Sequence, residues 1–284
     1  MNEFDGASDG GTPADETVGE TAYRRMRKDV IFGRLAPGEK LKLDRISRTY
    51  GTSISTMRET LGRLGSEGLI VAEGQRGFEV APVSPADLRE VAAMRQLLEC
   101  HALAQSFAAG DLDWEARVVA AHHKLAVTER RMIAGDRADP ETWKRCDWGF
   151  HHALISACGS KLLLEMHGAV YDRYLRYQMV AVVFRGAIAA DEHQRLAECA
   201  LARDAANARS VLIAHIQGCV DHALEGDTSR WFRPGASCKP AAAPQSRSPI
   251  RKTPGGKGKP GPLPSRATPT GAAPPFSRSH DPGT

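Results

Sequence analysis

The sequence predicts a mainly α-helical protein composed of two folded modules. Residues 21–83 alternate short helical patterns with glycine-containing turns and finish in a strand pattern. Residues 84–230 read almost entirely as helix, because Ala, Leu, Arg and Glu are abundant there and β-branched runs are scarce. Pro82 and Pro85 mark the boundary between the two regions, and a length of 284 residues is sufficient for two ordinary domains.

Both ends of the chain are predicted to be disordered. Residues 1–20 have no hydrophobic periodicity and are expected to form a leader. Residues 231–284 are dominated by Pro, Gly, Ser, Ala and Lys and are expected to form a basic tail. Neither segment can bury enough apolar surface to offset the entropy lost on ordering.

The positive charge of the folded part lies in its N-terminal module. Residues 21–83 carry twelve Lys and Arg against seven acidic residues, whereas residues 84–232 carry seventeen against twenty. The tail from residue 233 onwards adds nine bases and one acid. This distribution predicts that nucleic acid binds at the N-terminal module.

Composition argues against a membrane or secreted protein. No apolar run approaches the roughly 20 residues that a membrane span needs, and the acidic N-terminus is unlike a signal peptide. The six cysteines include no C-x-x-C pair, which is typical of reduced, buried side chains in a cytosolic protein. We therefore expect a cytoplasmic protein with no membrane partner.

The N-terminal module reads as three short helices followed by a hairpin. The helices are predicted at residues 23–32, 44–50 and 55–67, and the hairpin at residues 70–80 with a glycine-bounded tip. Gly51 permits the positive φ of a tight turn between the second and third helices. This order of elements predicts a winged helix-turn-helix, whose third helix enters the major groove of DNA.

The predicted DNA contacts lie on the third helix and the wing. The N-terminal residues of such a helix reach base edges, and a basic residue at the wing tip reaches the backbone or the adjacent minor groove. Alternatively, Arg58 could pair with a neighbouring acid on a solvated surface. The candidate DNA-binding residues are Ser53, Ser55, Thr56, Arg58, Arg63 and Arg76.

Four segments of this module resemble the GntR family of bacterial regulators. Residues 31–41 resemble its I-x-G-x-L-x-P-G-x-x-L opening, and residues 57–61 its V-R-E-A-L segment. Residues 67–70 and 76–80 are similar to its E-G-L-(I/V) and R-G-x-x-V segments. The resemblance covers residues 23–81 and implies a DNA-binding transcriptional regulator.

The third helix departs from the family pattern at one position. Relatives usually read S-R-T-P-V-R-E where residues 53–59 read S-I-S-T-M-R-E, so Ile54 occupies the position of a DNA-contacting arginine. An apolar contact to a thymine methyl would replace the lost hydrogen bonds. We therefore expect the operator to differ from those of relatives.

The helical region contains residues with the spacing of metal ligands. Asp147 and His151 are four residues apart and would share one helix face. His193 and His215 lie on later predicted helices. Three imidazoles and a carboxylate that project into a helix bundle would suit zinc or a similar divalent ion. On spacing alone, isolated core or surface histidines are the commoner explanation of such a pattern.

The same residues resemble the FCD (FadR-type) subgroup of the GntR family. Residues 147–151 are similar to its D-x-x-x-H segment, residues 192–200 and 214–215 to its later histidine segments, and residues 95–99 to the R-x-x-L-E of its first bundle helix. The resemblance implies an antiparallel helical bundle with Asp147, His151, His193 and His215 as ligands of zinc, or of manganese or nickel. The histidines that match nothing and are expected on the surface or in packing are His122, His123, His152, His167 and His222.

The resemblance also implies a small organic acid as effector. Four protein ligands leave two positions of a six-coordinate metal for a carboxylate or water, and Arg95 and Arg173 are candidates to hold the anion. The alternative role for each arginine is a structural ion pair within the bundle. Gly159 and Ser160 stand where the subgroup commonly has Gly-Asn, which would alter the polarity of the pocket.

The function predicted from the two modules is a homodimeric repressor. The helical domains would dimerise and place two winged domains on a pseudo-palindromic, double-stranded DNA operator, and effector binding would change DNA affinity. The alternatives are a regulator for which the metal is itself the effector, a metal-dependent enzyme fused to a DNA-binding module, and a non-specific nucleic-acid binder driven by the basic tail. The sequence favours a regulator without enzymatic activity.

Overall fold

The computed structural model describes residues 16–73, 77–136, 139–181 and 184–225. These residues form nine helices and three short strands and confirm the mainly helical fold. In chain order the elements are α1 (Val18–Ile31), β1 (Lys40–Leu41), α2 (Leu43–Tyr50), α3 (Ile54–Ser66), β2 (Ile70–Ala72), β3 (Phe78–Val80), α4 (Pro85–Ala109), α5 (Leu112–Ile133), α6 (Pro140–Ile155), α7 (Lys161–Ala181), α8 (Ala187–Leu201) and α9 (Ala205–Glu225). No helix within the described residues is long and apolar enough to span a bilayer.

The N-terminal module is a winged helix-turn-helix. Gly51 ends α2 in the left-handed region, with φ of 67°, and makes the turn into α3. Met57, Leu61 and Leu64 are fully buried on one face of α3, as the i, i+4, i+7 spacing requires. The sheet has the antiparallel order β1-β3-β2, so the wing contains a strand, β1, that the sequence pattern did not reveal.

The first helix starts earlier than predicted. Thr17 is the N-cap of α1, and its side chain accepts a hydrogen bond from the backbone N–H of Glu20 at 3.2 Å. Residues 18–20 are therefore helical, and the predicted leader of residues 1–20 is wrong at its C-terminal end. Residues 1–15, Arg76 and the predicted tail at residues 231–284 lie outside the described residues.

The C-terminal module is a bundle of the helices α4 to α9. Ser84 caps α4, and Pro85 occupies its first turn. Helix α4 packs against α6, α7 and α9, while α5 packs against α6 and α8. The core contains Trp114, whose Nε1 donates to the carbonyl oxygen of Ala153 at 2.9 Å. This packing brings the inner faces of α6, α8 and α9 together.

Candidate functional site

The four predicted metal ligands form one buried cluster. Each offers a ligand atom, and these atoms all lie within 4.8 Å of one another. Asp147 and His151 lie on adjacent turns of α6, whereas His193 lies on α8 and His215 on α9. All four are at most 3% exposed. The structure therefore brings the complete predicted set together.

Each histidine ring of the cluster is held by a hydrogen bond from its Nδ1 to a glutamate. The pairs are His151 with Glu99 at 2.5 Å, His193 with Glu129 at 2.7 Å, and His215 with Glu192 at 2.8 Å. Because Nδ1 is occupied, Nε2 is the nitrogen left for a ligand role. Two of these nitrogens, on His151 and His193, are buried with no hydrogen-bond partner among the described residues.

The protonation states of the cluster suit a cation. Burial lowers the pKa of His151, and burial together with the nearby His193 lowers the pKa of His215 to about 3. Burial raises the pKa of Asp147, but Lys144 and the three histidines outweigh it and hold the pKa well below its ordinary value. Neutral imidazoles and an ionised carboxylate are the forms that bind divalent metals. The donor set and the unpartnered nitrogens therefore fit a metal ion.

Arg95 lies beside this cluster in a fully buried position. Its Nε donates to Glu99 at 2.8 Å, and its guanidinium lies 4.5 Å from the ring centre of Tyr171 and 4.7 Å from that of Tyr174. Its Nη1 and Nη2 are buried and have no hydrogen-bond partner among the described residues. Leaving such donors unpaired is costly, so a ligand with acceptor oxygens would stabilise them.

Lys144 is a second buried cation at the cluster, and sequence reasoning missed it. It is 2% exposed, and its Nζ donates to Gln178 at 2.5 Å and lies 3.6 Å from Oδ2 of Asp147. A lysine in a polar stretch of sequence, such as Lys144, is ordinarily expected on the solvated surface. Its i, i+3 spacing from Asp147 is the one signal that could have indicated the pairing.

Arg173, a predicted effector-binding residue, does not join the cluster. Its side chain is exposed, and Nε and Nη2 donate to the carbonyl oxygen of Glu67 at 2.9 and 2.6 Å. The reason is helical phase, because Tyr171 and Tyr174 occupy the inner face of α7 and residue 173 points away from it.

His167, which was expected on the surface or in packing, contacts a glutamate that supports the cluster. It is fully buried, its ring stacks on Trp148 with centroids 5.5 Å apart, and its Nε2 lies 3.2 Å from Oε2 of Glu99. Glu99 therefore contacts His151, His167 and Arg95 together. A carboxylate held by three nitrogen donors fixes the orientation of each of them.

The N-terminal end of α3 presents a polar, exposed surface. Ser53 is the N-cap and accepts from the backbone N–H of Thr56 at 3.1 Å, and its Oγ lies 2.8 Å from Oγ of Ser55. Ser55 and Arg58 are exposed, and Ile54 is 43% exposed beside them. This end of the helix is the part that reaches base edges in a helix-turn-helix complex.

Arg63 is held by α1 instead of being free on this surface. Its Nη1 donates to Glu20 at 2.8 Å, and its guanidinium lies 3.8 Å from the ring centre of Tyr23. The predicted DNA contact by Arg63 therefore competes with an ion pair and a cation–π contact within the module. Arg63 is therefore not part of the DNA-contacting surface that we propose for α3.

Family comparisons match both modules. Residues 18–80 match the family of bacterial regulatory proteins called gntR, and residues 90–218 match the FCD domain. The HTH-type transcriptional regulator BphR of Paraburkholderia xenovorans (strain LB400) is 36% identical over 203 residues, which is 71% of this chain and 83% of BphR. The HTH-type transcriptional repressor GlaR of Escherichia coli (strain K12) is 30% identical over 202 residues, or 68% of this chain and 90% of GlaR.

Solved structures share the fold. The GntR transcriptional regulator from Rhodococcus sp. RHA1 aligns with a TM-score of 0.61 at 22% identity, covering 73% of this chain and 98% of that one. E. coli McbR/YncC also gives a TM-score of 0.61, at 19% identity, covering 74% of this chain and 99% of its own. At these identities the two structures establish the architecture alone.

Proposed function

Because the chain belongs to the GntR family of bacterial transcriptional regulators and has a C-terminal FCD domain, we propose that it is a repressor controlled by a metal-bound organic acid. Its relatives are DNA-binding regulators and not enzymes, which removes the metal-dependent enzyme alternative. The name of GlaR supports repression as the sign of regulation. The observation that carries the proposal is the buried Asp147, His151, His193 and His215 cluster.

The proposed metal is zinc, with manganese and nickel as alternatives. Three imidazoles and one carboxylate match the nitrogen and oxygen ligands that these ions take. Glutamate partners on Nδ1 are the usual supports of metal-binding histidines, because they fix the tautomer and the ring orientation. A bound divalent ion would supply a Lewis acid that attracts an anionic ligand.

The proposed effector is a small monocarboxylate. Arg95 with Glu99, Arg185 with Glu192, and Lys144 with Asp147 form three pairs of opposite charge around the cluster. The carboxylate of Glu129 belongs to none of these three pairs and is hydrogen-bonded to His193. A divalent ion would therefore leave one positive charge in excess, which one carboxylate neutralises. The unpaired Nη donors of Arg95 favour such an anion over regulation by the metal alone.

A panel of acids tests this effector class. We expect acetate, lactate or benzoate to raise the melting temperature of the Zn²⁺-loaded protein more than succinate or citrate does, because a dianion would leave a buried negative charge. Arg95→Met should abolish the shift while Zn²⁺ remains bound, whereas Arg173→Met should retain it. Tighter binding of the dicarboxylates, or an unchanged response in Arg95→Met, would refute the assignment.

The proposed reading surface is the exposed end of α3, with Ser53, Ser55, Thr56 and Arg58. Arg58→Ala should weaken operator binding by about 1–3 kcal/mol if the guanidinium contacts a guanine. Fluorescence anisotropy with a duplex selected by the wild-type protein from a random pool measures this loss. Arg24→Ala serves as control, because it removes a surface arginine of α1 that pairs with Glu16. Equal affinities of the two variants would count against Arg58 as a base contact.

The proposed dimer forms through the outer faces of α4 and α7. These helices pack together, and their outer faces expose Met94 (45%), Leu97 (65%), Leu162 (66%) and Met166 (52%). Exposed apolar side chains on two packed helices suit a second copy related by a two-fold axis. Light scattering should give the mass of two chains for the wild type and of one chain for Leu97→Glu. Leu112→Glu, which changes a 78% exposed leucine on α5, should remain dimeric; a monomeric wild type would contradict the proposal.

A further inference from the structure

Helix α7 contacts the metal cluster and the DNA-reading module through consecutive residues. The Tyr171 hydroxyl donates to Oδ2 of Asp147 at 2.6 Å, while Oδ1 of the same carboxylate lies 3.4 Å from Nε2 of His193. The next residue, Asp172, accepts a hydrogen bond from Nη2 of Arg27 on α1 at 2.5 Å. One peptide unit therefore separates a residue bonded to a cluster ligand from a residue bonded to the other module.

The contact made by Asp172 continues to the end of the recognition helix. Arg27 also donates through Nε to Oε2 of Glu67 at 2.7 Å, and Glu67 is the C-cap of α3. Arg173 donates to the carbonyl oxygen of the same Glu67. We call Arg27, Glu67 and Asp172 the clamp. Through Arg27, the clamp connects Glu67 at the C-terminal end of α3 to Asp172 on α7.

The Arg27–Asp172 pair of the clamp is buried and incompletely hydrogen-bonded. The side chains of Arg27 and Asp172 are 10% and 3% exposed. Arg27 Nη1 and Asp172 Oδ1 have no hydrogen-bond partner among the described residues. A desolvated ion pair is sensitive to small displacements, because its attraction must offset the cost of burying both charges. A shift of α7 would therefore change the strength of its hold on α3.

We propose that Tyr171 and the clamp transmit the state of the metal cluster to the recognition helix. The proposal rests on the metal site of the proposed function and deepens its regulation. A metal held by Asp147 would restrain this carboxylate, and the hydrogen bond from the Tyr171 hydroxyl would then restrain this part of α7. Arg27, Asp172 and Tyr171 are thus positioning residues for DNA binding, since none of them reaches the exposed end of α3.

Two variants interrupt the connection at opposite ends. Tyr171→Phe keeps the ring and removes the hydroxyl that contacts Asp147. Arg27→Met/Asp172→Asn removes both charges of the buried pair together, so that neither is left uncompensated, while Glu67 keeps its hydrogen bond from the Tyr23 hydroxyl. Arg24→Met is the matched control, because it removes an arginine of the same helix that pairs with Glu16 on the surface.

The readout is the ratio of operator dissociation constants in chelator and in Zn²⁺, measured with the duplex selected by the wild-type full-length protein. A structural role alone would change both constants and leave their ratio intact. We expect chelation to weaken wild-type and Arg24→Met binding at least about five-fold. In Tyr171→Phe and in the double variant, which should still bind Zn²⁺, the ratio should fall to within about two-fold of unity.

Other outcomes overturn the proposal. A wild-type ratio preserved in both variants would show that coupling does not pass through Tyr171 and the clamp. A wild-type protein that binds Zn²⁺ but has the same DNA affinity without it would remove the coupling and leave the metal site standing. A wild-type protein that binds no Zn²⁺ would remove the proposed function itself.

Discussion

The metal-free protein should lose stability steeply as the pH falls from 6.5 to 5. His151 and His215 are fully buried, and burial lowers the pKa of both, that of His215 to about 3. In the unfolded chain they return to the ordinary value of 6.5. The unfolded state therefore binds more protons in this window, and His215, whose folded pKa lies below it, should lower the free energy of unfolding by up to about 1.4 kcal/mol per pH unit.

Urea unfolding at a series of pH values, in the presence of a chelator, measures this dependence. His215 alone should contribute about 1.6 kcal/mol between pH 6.5 and 5, and His151 should add to the loss in the same direction. His215→Gln should have a shallower pH dependence than the wild type. His222→Gln changes an exposed histidine of the same helix and should leave the slope unchanged. Identical slopes in the wild type and in His215→Gln would mean that His215 is not buried in its neutral form.

Glu129→Gln should weaken Zn²⁺ binding by about 10- to 100-fold. Glu129 accepts a hydrogen bond from Nδ1 of His193 at 2.7 Å and is 1% exposed. The amide keeps the shape of the side chain but no longer supplies a negative charge to the imidazole, so His193 becomes a weaker ligand. Competition titration against a chromophoric chelator measures the affinity.

Glu198→Gln is the matched control for this experiment. Glu198 accepts from Gln194 on the exposed side of α8 and contacts none of the cluster residues. Its substitution should leave Zn²⁺ affinity within about two-fold of the wild type. If Glu129→Gln behaves in the same way, the buried glutamate does not support a metal ligand.

The sequence could predict residues that share a helix face, but not those that meet between helices. Asp147 and His151 are one turn apart, so their common direction follows from helical geometry. Their meeting with His193 and His215 followed from the family resemblance. Glu129 comes from another helix and has no local pattern that distinguishes it from a surface acid, because inter-helix packing alone brings it to His193.

The surroundings of the two arginines differ from those expected for separate physical reasons. Arg173 was assigned by its charge, whereas the helical phase of α7 turns it outward to Glu67. Arg63 was assigned to the polar face of the third helix, and the first turn of α1, which lies within the predicted leader, supplies Glu20 as its partner.

Metal content is the most direct test of the central claim. The wild type and His193→Ala should be purified without added metal and without a histidine tag, then measured by mass spectrometry of the bound elements. We expect about one equivalent of zinc, manganese or nickel per chain in the wild type and its loss in the variant. A wild-type protein without metal, even after reconstitution with each of the three ions, would contradict it.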